Sequence, residues 1–162
     1  MDAGTAPFLP DLRAELPQEL LLLPEEAEPL IRIKAERSKY QAALLRWLRN
    51  NHPADALHTM RATVQAITGC VQGARQRAFW WVASALLDCL GHGSLPDEHR
   101  AMLLLSRIDL QMKSLVDSQP ADTDDTLREM LYLIAHSQLI NSDIAAVKQA
   151  YALENQLPQP AA

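Results

Sequence analysis

Pro53-Ala54-Asp55-Ala56-Leu57-His58-Thr59-Met60-Arg61-Ala62-Thr63-Val64-Gln65-Ala66-Ile67-Thr68-Gly69-Cys70-Val71 is the stretch that decides the fold class. Leu57, Met60, Val64, Ile67 and Val71 return at intervals of three and four, which lines one face of an α-helix, whereas a half-buried strand needs apolar residues at every second position. Pro53 suits an opening position, because its fixed φ fits the helix and its missing N–H would have no partner there. Gly69 and Gly73 loosen the end. No segment elsewhere shows sustained alternation with β-branched enrichment. The chain therefore reads as all-α, an antiparallel up-and-down helical bundle, since short connections favour antiparallel neighbours.

Upstream, Pro29 opens a predicted helix to Asn50, with Ile33, Tyr40, Leu44, Trp47 and Leu48 on one side. Before it, Met1 to Glu28 holds Pro7, Pro10, Pro17 and Pro24, a density that removes N–H donors and restricts each preceding residue. Residues 1–28 are expected to form an extended Pro-rich arm with one short turn near Gln18 to Leu23, docked through Phe8, Leu9 and Leu20 to Leu23. The helical bundle with its C-terminal extension is expected over residues 29–157.

Downstream, Ala74 to Leu90 is apolar around most of its circumference and stops at Gly91, as a central helix would. Ser94 and Asp97 suggest a weakened capping box before a helix carrying Leu104, Leu105, Ile108, Met112 and Leu115. Asp122, Thr123, Asp124 and Asp125 supply a cap and favourable charge for the next, with Leu127, Met130, Leu131 and Ile134 inward. Ser142 or Asn141 caps a last helix with Ile144, Val147 and Tyr151.

The 162 residues suffice for one domain, and 20 acidic against 15 basic side chains give a formal charge of -5. Without a basic run there is little to neutralise a phosphate backbone, so nucleic acid is not an expected partner. Runs such as Leu20 to Leu23 and Phe79 to Leu87 fall short of the ~20 residues that span a bilayer, so no membrane insertion is expected. No secretory signal is read at the N-terminus, and a cytoplasmic protein is expected. Cys70 and Cys89 read as two buried thiols rather than a disulfide framework.

One surface constellation has a chemical use. A rotation of ~100° per residue puts His58 and Ala62 nearly opposite the apolar stripe, with Arg61 and Gln65 on the same outer surface. In phosphotransfer, a neutral imidazole nitrogen attacks a phosphoryl group while a cation steadies its oxygens. Against this stands the ordinary exposed histidine. Other groupings are weaker still. His92, His99, Asp97 and Glu98 read as a solvated loop rather than a metal site, and Trp80-Trp81 as core packing plus one exposed or interface ring. A sensor pocket lined by Trp47, Phe79 and Trp80 is the remotest reading. No nucleophile elbow or phosphate loop is present, so no cofactor and no enzymatic activity are expected.

His58-Thr59-Met60-Arg61-Ala62 resembles the His-Thr-Leu-Lys-Gly core of histidine-phosphotransfer domains, with Arg61 for Lys and Ala62 for Gly, keeping charge but losing part of the close backbone approach. That resemblance implies a phosphotransfer-like bundle with His58 as acceptor, Arg61 as clamp and Gln65 as a flanking hydrogen-bonding group.

Longer stretches are similar to the second domain of FimL-type scaffold proteins, also found near the N-terminus of ChpA/PilL-type chemosensory hybrid histidine kinases. They are Phe8 to Leu12, Tyr40 to Leu48, Arg77 to Leu87, Leu104 to Asp109, Leu127 to Ala135 and Val147 to Leu153. The resemblance implies a non-catalytic scaffold or interaction domain of a chemosensory two-component pathway controlling type IV pilus motility. Its implied partners are a response regulator or a histidine kinase. The family pattern requires no phosphohistidine at the place of His58.

Overall fold

The computed structural model describes residues 8, 10–24, 26–95, 97–119 and 122–153. Leu9 of the arm and the last residues of the expected bundle, 154–157, lie outside the described residues. Within them are seven helices and no strand: α1 (Gln18–Leu21), α2 (Pro29–Leu48), α3 (Pro53–Thr68), α4 (Ala74–Gly91), α5 (Glu98–Val116), α6 (Asp124–Ala135) and α7 (Ser142–Ala150). The all-α bundle read from the spacing is the observed architecture.

Helix ends follow local chemistry. Pro29 and Pro53 stand in the first turns of α2 and α3. Asp97 caps α5 by accepting from the Arg100 N–H, and Asn141 caps α7 by accepting from that of Ile144. Ser94 has no part in the α5 cap; its hydroxyl donates to the Cys89 carbonyl at 3.0 Å and pairs with Ser137 at 2.7 Å. At α6 the residue in the capping position, Thr123, makes no side-chain bond, and the Asp122 carboxylate accepts from the Asp124 N–H instead.

Three helices stop by one device. Asn50, Gly93 and Ser118 adopt positive φ, and the next residue, Asn51, Ser94 or Gln119, donates its N–H to the carbonyl of Arg46, Cys89 or Ser114. This is the left-handed C-terminal turn that satisfies carbonyls orphaned at a helix end. The terminator of α4 is thus Gly93, two positions beyond Gly91.

α4 is the hub, packing on α3 and α6 and also touching α1, α5 and α7. Phe79, Trp80, Val82, Ala83, Leu86, Leu87 and Cys89 on it are all at most 1% exposed, as its all-round apolar sequence requires. α2 packs on α3 and on α5. Arg37 pairs with Asp109 and Tyr40 donates to the Leu105 carbonyl at 2.7 Å, so residue numbers fall along α5 as they rise along α2 and the two run antiparallel. All five residues of the α3 stripe are buried. Leu48, expected inward, is 49% exposed. The buried line of α2 runs through Ile33, Glu36, Tyr40 and Ala43, which turns Leu48 away from the core.

The described part of the arm touches the body at Phe8 and α1, while Leu21 and Leu22, expected to dock, are exposed. Phe8 meets Tyr132 edge to face at 5.4 Å, and α1 packs on α4. No helix among the described residues is long and apolar enough to cross a membrane.

Candidate functional site

α3 presents its polar face as the rotation argument requires. His58, Ala62 and Gln65 are exposed and Arg61 is half-buried. The guanidinium of Arg61 is engaged by two carboxylates: Nη2 donates to Asp143 at 3.4 Å, and Nη1 lies 3.8 Å from Asp88. The Nε of Arg61 is buried without a hydrogen-bond partner among the described residues. Arg61 therefore spends its charge on α4 and α7, on the side facing those helices.

Asp88, on the last turns of α4 and 9% exposed, organises that junction. Its Oδ2 accepts from the Asn141 amide at 2.9 Å, its Oδ1 lies 3.5 Å from His92 Nδ1, and its backbone carbonyl accepts from the His92 ring N–H at 2.9 Å. Asn141 meanwhile caps α7 through its own carbonyl oxygen at 2.8 Å. A buried carboxylate is tolerated only when paired and hydrogen-bonded. One such group here joins α3, α4 and α7.

Arg61 and Gln65 also line a recess of about 210 Å³ with Thr68, Trp81, Ser84, Asp143 and, from the arm, Leu20 and Leu23. His58 is outside its lining. The structure thus brings Arg61 and Gln65 together under the arm and leaves His58 on open surface one turn away.

The arm above this recess is fastened by Arg77, 6% exposed, whose Nη1 donates to the carbonyls of Leu20 and Leu21 and whose Nε donates to that of Val71 at 3.1 Å. Sequence reasoning missed both Arg77 and Asp88. The available signal was a charged residue at an inward position of an apolar helix.

Of the remaining candidates, Phe79 and Trp80 are buried and stack edge to face at 5.0 Å, while Trp81 is half-buried against the recess. Among the described residues no three His, Cys, Asp or Glu side chains lie close enough to share a metal ion. Cys70 is half-buried and Cys89 buried, both free, and burial pushes both thiols up.

The model of the FimL scaffold protein second domain matches residues 25–162. The chain is also similar to scaffold protein FimL of Pseudomonas aeruginosa, 28% identical over 116 residues, which covers 71% of this chain and 21% of that protein. It spans about a fifth of the length of that curated relative. No solved structure matches the chain with significance. With the family model covering α2 through α7, the chain belongs to the FimL scaffold protein second-domain family.

Proposed function

We propose that this domain is a non-catalytic docking unit of a cytoplasmic chemosensory two-component pathway of the kind that controls type IV pilus motility, binding a response regulator or a histidine kinase. The observation that carries this reading is the family match over residues 25–162, a family described as scaffold. The engagement of Arg61 by Asp88 and Asp143 supports it from the geometry, because a phosphoryl clamp needs a guanidinium free to meet incoming oxygens.

A second reading, relay of phosphate through His58, is favoured by the exposure of His58 and Ala62 on one face of α3. In that step an imidazole nitrogen attacks the phosphorus of an aspartyl phosphate, the aspartate leaves as carboxylate, and the ring loses its second nitrogen's proton.

The test offers the domain a phosphorylated pilus-type response regulator and follows acid-labile label beside direct binding. The scaffold reading expects binding without label, unchanged in His58→Gln. Label acquired by the unmodified domain and lost in His58→Gln would replace it with the relay.

A further inference from the structure

We infer that a basic and aromatic groove between α5, α6 and the arm is the docking site for an acidic, carboxylate-bearing peptide segment of a protein partner. This deepens the scaffold reading and rests on it only in treating the domain as a protein-binding unit.

The groove, of about 520 Å³, is lined by Phe8, Arg100, Arg107, Arg128 and Tyr132 with Asp125 and Glu129. Two helices supply it in register. Arg100 and Arg107 are seven residues apart on α5, two turns along one face, and Arg128 and Tyr132 are four apart on α6. Three guanidiniums against two carboxylates leave a positive site on a chain whose formal charge is -5.

The cations are incompletely satisfied. Arg107 pairs with Glu129 at 3.2 Å and Arg128 with Asp125 at 3.1 Å, both between exposed or half-exposed groups that water screens. Among the described residues Arg100 has no carboxylate in ion-pair range; it stacks on the Tyr132 ring, 4.7 Å from its centre. Arg128 Nε is buried and has no hydrogen-bond partner among the described residues. An incoming carboxylate gains a free guanidinium at Arg100 and can take the place of the 85% exposed Asp125 on Arg128. The edge-to-face pair of Phe8 and Tyr132 offers apolar contact for a side chain beside that acid.

Carboxylate rather than phosphate follows from the two acids already in the groove. Asp125 and Glu129 repel a dianion more strongly than a single charge that substitutes for one of them.

The experiment titrates the full chain with a short labelled peptide of Glu, Asp and Leu, and reads both anisotropy and the arginine Nε–Hε resonances of the unmodified protein. Shifts confined to Arg100, Arg107 and Arg128 are expected, with binding weakened as salt rises. Arg100→Gln and Arg128→Gln should each weaken binding about five- to tenfold, and Arg49→Gln, an exposed site elsewhere, should leave it unchanged. Absence of binding, shifts spread over other arginines, or equal loss in Arg49→Gln would overturn the inference. Tighter binding of the peptide with phosphoserine replacing Glu would overturn the carboxylate assignment.

The same variants tested with a response regulator separate the two readings. A regulator that binds all variants equally keeps the scaffold reading and removes this groove from it. Peptide binding without binding of any pathway protein keeps the groove and removes the pathway.

Discussion

Arg77 donates from Nη1 to the Leu20 carbonyl at 2.8 Å, fixing the end of a four-residue helix in the arm to the first turn of α4. A helix this short cannot persist by its own hydrogen bonds. The same guanidinium nitrogen reaches Leu21 at 3.0 Å, so a cation stands where the carbonyls of the last turn point.

Replacing Arg77 with Ala therefore removes several charge-assisted hydrogen bonds to buried or half-buried carbonyls, at a cost of roughly 1.5–3 kcal/mol. Hydrogen exchange should show residues 18–23 losing protection well before α4 does. Uniform loss across the chain would mean that Arg77 supports the core rather than the arm.

Leu86 is fully buried at the centre of α4. Leu86→Ala should cost about 2–5 kcal/mol through the cavity it opens, read as a lowered denaturation midpoint with an unchanged slope. An unchanged midpoint would contradict its position.

The α7 junction makes a separate prediction. Asn141 both caps α7 and donates to the buried Asp88. Asn141→Ala loses the cap and leaves Asp88 one donor short, about 2–3 kcal/mol together. Exchange should quicken first at residues 142–150. Faster exchange in α2 instead would contradict the local coupling.

Much of this arrangement is legible in the sequence because it repeats at the helical period. The stripes of α3, α5 and α6 lie inward as their period requires and His58 faces outward, and of the two capping residues offered for α7 Asn141 takes the role, whereas the α5 cap falls on Asp97 itself and not on Ser94, where a capping box would put it. What escaped were polar groups whose meaning depends on distant chain. Arg77 is an ordinary cation until residues 20–23 are laid over it, and Asp88 needs Arg61 and Asn141 beside it. Counting apolar positions also passed over Glu36, which is buried with Arg32 at 2.9 Å and Lys39 at 3.3 Å and rotates the inner face of α2 away from Leu48. The arginines of the α5–α6 groove fall on two helices, so no single-helix pattern announces them.

Tyr151 gives the pH dependence. It is 3% exposed, its hydroxyl has no partner among the described residues, and burial pushes its pKa up to about 12 from 10.0. The folded state thus keeps a proton that the unfolded state releases above pH 10, and stability falls as pH rises from about 10 towards 12. Tyr40, buried and bonded to the Leu105 carbonyl, is raised by the same burial and by Asp109 and adds to the slope. Denaturation of the unmodified protein and Tyr151→Phe should give midpoints that diverge above pH 10, the variant holding better. Parallel curves would place the alkaline sensitivity elsewhere.

Ser118 ends α5 with φ at +52°. A left-handed conformation costs an L-residue roughly 1–2 kcal/mol, while glycine there sacrifices roughly 0.5–1 kcal/mol of unfolded-chain entropy. Its backbone N–H already bonds the Leu115 carbonyl, so the turn does not depend on the side chain. Ser118→Gly should therefore stabilise the domain, by up to about 1.5 kcal/mol, the difference of those two effects. Thermal unfolding decides it: a lower melting temperature would show that the Ser118 side chain contributes more than its strained backbone costs.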